Sequence, residues 1–306
     1  NSMPLQNNTS LTRYLIGQFG RIPILCYCLT LVVLSACSEP NLPSKQRIEP
    51  QAKVTFEQSK NEVIYGEDTR LDVYEVGDPL LQQKAQRSVL AMFNSDNLRV
   101  AQDTGIVTVL GGTLGRQYRL CGDQRYRDQI TAASCSATLI DDDIIVTAGH
   151  CVETQADCES KKFVLGYYMD EFSTLATITA DQVFSCQRLL LSQNTRTLDF
   201  AFIKLDRSVN PMIGEPSAIT QVDGPVQVDE PMVLMGFPSG LPLKVDAGCF
   251  VSDPRGSNPS LDYYKATVDA FGGNSGSGVF NNNGEQVGIL VRGETDYVPS
   301  PDNCTV

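Results

Sequence analysis

A glycine-rich stretch in the last part of the chain limits most strongly the folds that this sequence can adopt. Residues 272–280 read Gly-Gly-Asn-Ser-Gly-Ser-Gly-Val-Phe, so small residues lead directly into an apolar, strand-like pair. Glycines allow a sharp turn that exposes the hydroxyl of Ser275. In such a turn the amides of Gly273 and Ser275 can point at one spot beside that hydroxyl, as an oxyanion hole requires. The alternative is a plain surface turn, because Gly, Ser and Asn are common turn residues.

Two earlier segments favour a catalytic interpretation of this turn. His150 is the only histidine of the chain and follows an apolar run within Thr-Ala-Gly-His-Cys. Asp199 opens a second strand-like run, Asp-Phe-Ala-Phe-Ile-Lys-Leu. Taken alone, the histidine would be an ordinary core or surface residue and the aspartate a strand cap. Together with Ser275 they follow the order His, Asp, Ser, which is one of the chain orders of catalytic triads.

In these motifs and their order the chain resembles the chymotrypsin-like (trypsin-like) serine peptidases, on the bacterial branch near the glutamyl endopeptidases. The resemblance covers residues 105–293 and implies an all-β fold of two six-stranded antiparallel β-barrels, with the catalytic site in the cleft between them. It also implies an acyl-enzyme mechanism in which Ser275 is the nucleophile, His150 the general base and Asp199 the residue that orients the imidazole. Such a mechanism requires no metal and no organic cofactor.

The resemblance also implies a disulfide between Cys135 and Cys151, which would clamp the histidine loop to the preceding strand. We expect Cys158 and Cys186 to form a second disulfide, since an exported chain rich in cysteine usually forms them. The remaining cysteines after the N-terminal segment have no assigned partner, and their odd number leaves at least one free thiol; they are Cys121, Cys249 and Cys304. Zinc is the alternative, but a second histidine is missing.

The resemblance implies cleavage after arginine or lysine. Asp269 lies six residues before Ser275, the offset at which trypsin-like members carry the carboxylate at the floor of the specificity pocket. Gly293 matches the family's glycine at the pocket mouth. Arg292 conflicts with this interpretation, because it can pair with Asp269 or attract an acidic substrate. A glutamyl-specific endopeptidase is therefore an alternative, and a catalytically inactive homologue that acts as a binding module is another, since a fold does not prove a function.

Residues 1–37 resemble the signal of a bacterial lipoprotein. Arg13 and Arg21 precede an apolar run over residues 22–34 that is too short to span a bilayer comfortably. The run ends in Leu-Ser-Ala followed by Cys37, so small residues precede the expected cleavage point. We expect export, a lipid anchor on Cys37, and a location at the outer membrane or in the periplasm. The alternatives are secretion through an ordinary signal and an uncleaved anchor.

The remaining organisation follows from composition and capping signals. Residues 38–62 read as a linker or propeptide, residues 63–104 as an N-terminal arm, and residues 105–306 as the peptidase domain. Val63 begins a segment that resembles the mature start of glutamyl endopeptidases. In the arm, Asp78 predicts the cap of a helix that runs to about Phe93.

The end of the chain and its charge complete the prediction. The sequence ends 31 residues after Ser275, so we expect the family's last wall strand and terminal helix to be missing or replaced by residues 294–306. The 24 basic and 36 acidic residues give a net charge of −12, which excludes nucleic acid as a partner. We expect a monomer whose partner is a polypeptide substrate.

Overall fold

The computed structural model describes residues 68–220, 226–255, 263–293 and 296–306, and these residues are mostly β-strand and loop. The strands are β1 Arg70–Asp72, β2 Val89–Asn94, β3 Leu98–Val100, β4 Ile106–Val109, β5 Gly112–Thr113, β6 Ile130–Thr131, β7 Cys135–Asp141, β8 Ile144–Thr147, β9 Lys161–Val164, β10 Met169–Glu171, β11 Thr174–Leu175, β12 Ile178–Thr179, β13 Val183–Asn194, β14 Asp199–Leu205, β15 Pro231–Gly236, β16 Lys244–Asp253, β17 Lys265–Ala266, β18 Gly278–Phe280 and β19 Gln286–Ile289. The helices are α1 Pro79–Ser88, α2 Leu114–Tyr118 and α3 Gln155–Glu159.

Several predictions for the N-terminal segment concern residues outside this described part. They are the signal with its lipidation site at Cys37, the linker over residues 38–62, and the mature start at Val63. Among the residues that the structure describes, no helix is both long enough and apolar enough to cross a membrane.

Six antiparallel strands close into a barrel in the order β13-β14-β8-β7-β2-β9. Alternation along β14 places every second side chain inside, so Asp199, Ala201 and Ile203 are buried while their neighbours are half-buried. Apolar side chains fill the barrel interior, among them Leu139, Ile145, Phe163 and Phe184. The structure therefore confirms the predicted all-β fold with a closed six-stranded barrel.

A second antiparallel sheet stands where the second barrel is predicted. Its strand order is β1-β16-β15-β18-β19, and β17 also pairs with β16. Its inner face is a separate apolar cluster that includes Met232, Leu234, Val251 and Val279. In the described part of the chain, β19 pairs only with β18 and β17 only with β16, so the sheet is open between these two edges.

The helix predicted from Asp78 to about Phe93 is wrong in its second half. Asp78 caps α1 as expected, since its carboxylate accepts a hydrogen bond from the amide of Leu80 at 2.8 Å. The helix ends at Ser88, however, and β2 follows as a strand of the barrel. One face of β2 packs inside the barrel and the other against the second sheet, so its apolar run is continuous and lacks the period-2 pattern of a half-buried strand. The predicted N-terminal arm thus supplies a barrel strand.

Three disulfides are present among the described residues: Cys135–Cys151, Cys158–Cys186 and Cys121–Cys304. The first two join the pairs that the sequence analysis proposed. The third joins residues 183 positions apart and fixes the C-terminal segment next to α2. Cys249 is a buried free thiol, and burial raises its pKa, which keeps it protonated.

An ion pair is buried where β1 meets β16. Lys244 Nζ lies 2.6 Å from Asp72 Oδ1, and each side chain is only 2% exposed. The ammonium group also donates to Gln129 Oε1 at 2.8 Å and to the carbonyl oxygen of Pro242 at 2.9 Å. Burial lowers the pKa of Lys244 to about 8, against the opposing effect of the Asp72 charge. The lysine is therefore a cation at neutral pH, and its ion pair with Asp72 joins β1 of the arm to β16 of the sheet.

We expect Lys244→Met to lower the free energy of unfolding by about 3–5 kcal/mol, because it leaves the Asp72 carboxylate buried without a cation. Urea titration followed by circular dichroism measures this loss. The control is Lys265→Met at an exposed position of β17, which should change stability by no more than about 0.5 kcal/mol. A loss below about 1 kcal/mol in Lys244→Met would contradict a structural role for the pair.

Candidate active site

The pairing of β8 with β14 brings His150 and Asp199 together. Ala201 pairs with Thr147 in this ladder, so the first residue of β14 lies opposite the short 3₁₀ turn Gly149–Cys151 that follows β8. A side chain at Gly149 could not be accommodated, since its Cβ would lie 1.9 Å from the carbonyl oxygen of Gln193. The glycine lets the turn pack directly on the neighbouring strands.

Both oxygens of the Asp199 carboxylate bind His150. Oδ1 accepts the backbone amide at 3.0 Å, and Oδ2 lies 2.8 Å from Nδ1 of the ring. The Asp199 side chain is 5% exposed and that of His150 is 35% exposed. Because an ionised carboxylate only accepts hydrogen bonds, Nδ1 carries the proton and Nε2 keeps its lone pair. The arrangement leaves Nε2 as the ring nitrogen that Asp199 does not bind.

A disulfide lies beside the imidazole. The ring of His150 and the sulfurs of Cys135 and Cys151 are within 4.8 Å of one another, which resembles the spacing of metal ligands. The two sulfurs are bonded to each other and offer no thiolate to an ion. In this group the cysteines therefore act as a clamp on the histidine turn.

Ser136 connects the turn that bears Ser275 to the first barrel. Its amide donates to the carbonyl oxygen of Ser275 at 2.8 Å, and its hydroxyl donates to that of Gly273 at 3.0 Å. Ser136 is fully buried and follows Cys135, whose disulfide leads to the residue after His150. The sequence analysis missed this residue; its only signal is a buried hydroxyl in an otherwise apolar strand.

The backbone before Ser275 leaves two amides free to bind an oxyanion. The carbonyl oxygen of Gly272 accepts the amide of Ser239 at 2.5 Å. Because the peptide group is planar and trans, the amide of Gly273 points the opposite way, and this residue has the left-handed φ of +90°. Among the described residues, the amides of Gly273 and Ser275 donate to no protein acceptor.

No hydrogen bond joins the Ser275 hydroxyl to the His150 ring within the described residues. Bonds of this kind are often long before substrate binds and shorten in the complex. The geometry therefore brings His150 and Asp199 into direct contact, while Ser275 is held through its backbone.

The C-terminal segment contacts the same loop. Asp296 Oδ2 accepts the amide of Gly272 at 2.7 Å. Partial burial raises the pKa of Asp296, and this hydrogen bond opposes the rise. The ring of Tyr297 lies between those of Tyr118 and Phe271, with centroid distances of 4.5 and 5.2 Å. Residues after the predicted motifs thus help to shape the loop that leads to Ser275.

The residues predicted to set specificity occupy two different places. A cavity of about 650 Å³ beside β19 is lined by residues that include Arg292 and Gly293, together with Asp199. Asp269 does not line it. Its carboxylate is buried and accepts a hydrogen bond from the amide of Thr69 at 2.9 Å, and the Thr69 hydroxyl lies 3.2 Å from the same oxygen.

The cavity has apolar walls and cationic residues. Three basic residues line it, Arg196, Lys265 and Arg292, while the acidic residue in its described lining is Asp199, which is bound to His150. Arg292 donates to the carbonyl oxygens of Thr195 and Arg196 at 2.8 and 2.9 Å, so its guanidinium group is held at the cavity. The cavity therefore favours a ligand with an apolar body or a negative charge.

Comparison with known proteins agrees with this fold. Residues 135–289, just over half of the chain, match the family model of the trypsin-like peptidase domain. The chain belongs to the trypsin-like peptidase family and has a chymotrypsin-like fold. Its placement on a bacterial branch remains a prediction. No curated protein sequence matches the chain.

Two solved structures are similar to the chain at low identity. One is a Glu endopeptidase in complex with MPD, at 17% identity with a TM-score of 0.42, covering 80% of this chain and 91% of that one. The other is human heparin binding protein, at 15% identity with a TM-score of 0.45, covering 69% and 80%.

We expect Gly276→Ala to destabilise the protein by more than about 2 kcal/mol and to abolish peptidase activity. Gly276 has a φ of +86°, and a Cβ there would lie 2.1 Å from the carbonyl oxygen of Ser136. Thermal and urea unfolding measure the loss. The matched control is Gly112→Ala, because a Cβ at Gly112 meets no atom within 4 Å. Equal stability of the two variants would contradict the close approach of the turn to the first barrel.

Proposed function

We propose that this chain is an exported serine endopeptidase that acts through His150, Asp199 and Ser275. One observation carries the proposal: in a chain of the trypsin-like peptidase family, the Asp199 carboxylate binds both the amide and the ring Nδ1 of the only histidine. That contact supports the imidazole tautomer that a general base needs. The backbone contacts of the Ser275 turn with Ser136 support the position of the nucleophile on the same side of the barrel.

The proposed reaction proceeds in two acyl-transfer steps. Ser275 Oγ bonds to the carbonyl carbon of the scissile peptide while His150 Nε2 takes its proton. The imidazolium ion then gives that proton to the leaving amine as the carbon–nitrogen bond breaks. Water repeats the sequence on the acyl-enzyme, giving a carboxylic acid and restoring the Ser275 hydroxyl. Asp199 holds the ring and stabilises its positive charge throughout.

The negative charge of each tetrahedral intermediate would be bound by the amides of Gly273 and Ser275. A correctly placed donor of this kind is worth about 3 kcal/mol in the transition state. The hydrogen bond from Ser239 to Gly272 supports this role, because it keeps the Gly272 carbonyl oxygen turned away from the developing charge.

We also propose that the chain is exported and carries a lipid anchor at Cys37. Three disulfides support an oxidising compartment, since cytosolic thiols are kept reduced. The anchor rests on the Leu-Ser-Ala-Cys sequence alone. The expected partner is a polypeptide substrate in the cell envelope.

We expect a fluorophosphonate to label wild-type protein on Ser275, and we expect Ser275→Ala and His150→Ala to lose labelling and peptide hydrolysis. Asp199→Asn should reduce hydrolysis by about 10⁴-fold, because it holds the imidazole in the wrong tautomer. Peptide mass mapping locates the label, and a protein-substrate assay measures turnover. Folded wild type that reacts with no fluorophosphonate would instead identify the chain as an inactive homologue with a binding function.

The specificity has two candidates. The sequence predicts cleavage after arginine or lysine through Asp269, and that remains a prediction. A second candidate, cleavage after glutamate, is favoured by the cations Arg292, Arg196 and Lys265 at the cavity. Hydrogen bonds from Thr69 already occupy the carboxylate of Asp269, whereas Arg292 is held at the cavity by two carbonyl oxygens.

We expect a glutamyl chromogenic peptide to be cleaved faster than arginyl, lysyl or phenylalanyl peptides. Arg292→Gln should then reduce kcat/KM for the glutamyl peptide at least about tenfold, since charge-assisted hydrogen bonds contribute about 1.5–3 kcal/mol. The control Arg99→Gln makes the same change of net charge on exposed β3 and should leave the preference intact. Faster cleavage of the arginyl peptide, lost in Asp269→Asn, would establish the basic preference instead.

A further inference from the structure

The N-terminal arm contacts the loop that leads to Ser275 through one threonine. The amide and hydroxyl of Thr69 both lie within hydrogen-bond distance of Asp269 Oδ2. The same hydroxyl lies 2.6 Å from Asp246 Oδ1, and Asp246 Oδ2 accepts the amide of Asp269 at 2.9 Å. Thr69 therefore stands between two carboxylates, one on β16 and one in the loop.

Both carboxylates are buried, at 2% exposure for Asp246 and 3% for Asp269. Adjacent buried carboxylates disfavour each other's charge unless hydrogen-bond donors compensate them. Thr69 provides one donor to each carboxylate: its amide donates to Asp269 at 2.9 Å, and its hydroxyl donates to Asp246 at 2.6 Å. The Thr69 side chain is exposed on one side and packs against Gly248 on the other, where a Cβ would lie 2.7 Å from its hydroxyl.

Contacts outside the loop help to fix the arm that presents Thr69. Asp68 binds the Arg70 guanidinium group with both oxygens at 2.8 Å. Burial alone would raise the pKa of Asp68, but the hydrogen bond and charge of Arg70 outweigh it and lower the pKa. Arg125 donates to the carbonyl oxygens of Asp68 and Arg70, at 2.6 and 2.8 Å. Thr69 thus lies between two residues whose positions are set by ion pairs and backbone contacts.

A second contact from the arm reaches the same loop. The Arg70 guanidinium carbon lies 4.2 Å from the centroid of the Phe271 ring, a favourable cation–π arrangement at a buried site. The carbonyl oxygen of Phe271 accepts the amide of Asn274 at 3.0 Å, and Asn274 directly precedes Ser275. The arm therefore contacts Phe271, which is hydrogen-bonded to the residue directly before Ser275.

We propose that Thr69 is a positioning residue for the candidate catalytic loop: by binding Asp269 and Asp246 it holds the chain from Asp269 to Gly273 in the conformation that presents Ser275 and the two oxyanion amides. The inference rests on the proposed function. The donors are an internal amide and a side-chain hydroxyl, so the contact needs no free amino group at Thr69. Without the hydroxyl, the carboxylates separate and the loop loses the orientation of its amides.

The experiment compares Thr69→Val, which keeps the shape but removes the hydroxyl, with Thr69→Ser, which keeps the hydroxyl. The number of active sites is titrated with a fluorophosphonate, and kcat and KM are measured per titrated site. We expect kcat of Thr69→Val to fall at least about tenfold with KM changed by less than about twofold, because the amides act in the transition state. Thr69→Ser should restore kcat to within about threefold of wild type.

The matched control is Thr179→Val, which removes a hydroxyl that contacts Gln182 in the turn before β13. It should lower stability slightly and leave kcat per site unchanged. Thermal unfolding of all variants separates a loss of folded protein from a loss of turnover.

The possible outcomes distinguish the positioning role of Thr69 from the proposed peptidase function. Wild-type kcat per titrated site in Thr69→Val, at any melting temperature, overturns the positioning role and leaves the proposed function intact. An equal fall in Thr69→Ser also overturns it, because the hydroxyl would then not be the group that matters. Wild type that neither reacts with the fluorophosphonate nor cleaves protein overturns the proposed function and the positioning role together.

Discussion

The hydrogen bonds of Ser136 join the two halves of this structure, and the candidate site depends on them. The second sheet carries Ser275 and the first barrel carries His150, so the relative position of these residues is set where the sheet packs against the barrel. Ser136 binds the backbone of the turn that bears Ser275 through its amide and its hydroxyl. Through its neighbour Cys135 it is also linked to Cys151, beside the histidine. One buried serine thus fixes the distance between His150 and Ser275, which are more than 100 positions apart in sequence.

Buried carboxylates explain much of the surrounding architecture. The chain is acidic, and an acid removed from water needs a donor or a cation. Asp199 is bound by the amide and ring of His150, while Asp72 is bound by Lys244. Asp269 is bound by Thr69. Each of the three aspartates has its own donors. Only Asp199 has a partner, His150, with a second nitrogen that can accept a proton. Burial and charge alone therefore do not distinguish Asp199, the proposed triad member, from the other two aspartates; the group that it binds does.

Local patterns in the sequence predict the parts of the site whose chemistry is local. The strand-like apolar run that starts at Asp199 is β14 with the bounds expected, and the glycines around Ser275 predict its turn. Contacts between distant segments leave no such pattern. Nothing near Asp269 in sequence shows that Thr69 binds it, and the specificity role indicated by its offset from Ser275 stays a prediction. The end of α1 was misjudged for a similar reason, since β2 is buried on both faces by parts of the chain that a local window does not include.

The central claim is that the junction at Ser136 places Ser275 at the basic nitrogen of His150 with two amides facing the reacting oxygen. A crystal structure of the fluorophosphonate adduct tests it most directly. The account predicts phosphorus bonded to Ser275 Oγ, His150 Nε2 within about 3.2 Å of that oxygen, and a phosphoryl oxygen about 2.7–3.1 Å from the amides of Gly273 and Ser275. An adduct on another residue, or a phosphoryl oxygen directed away from both amides, would contradict it.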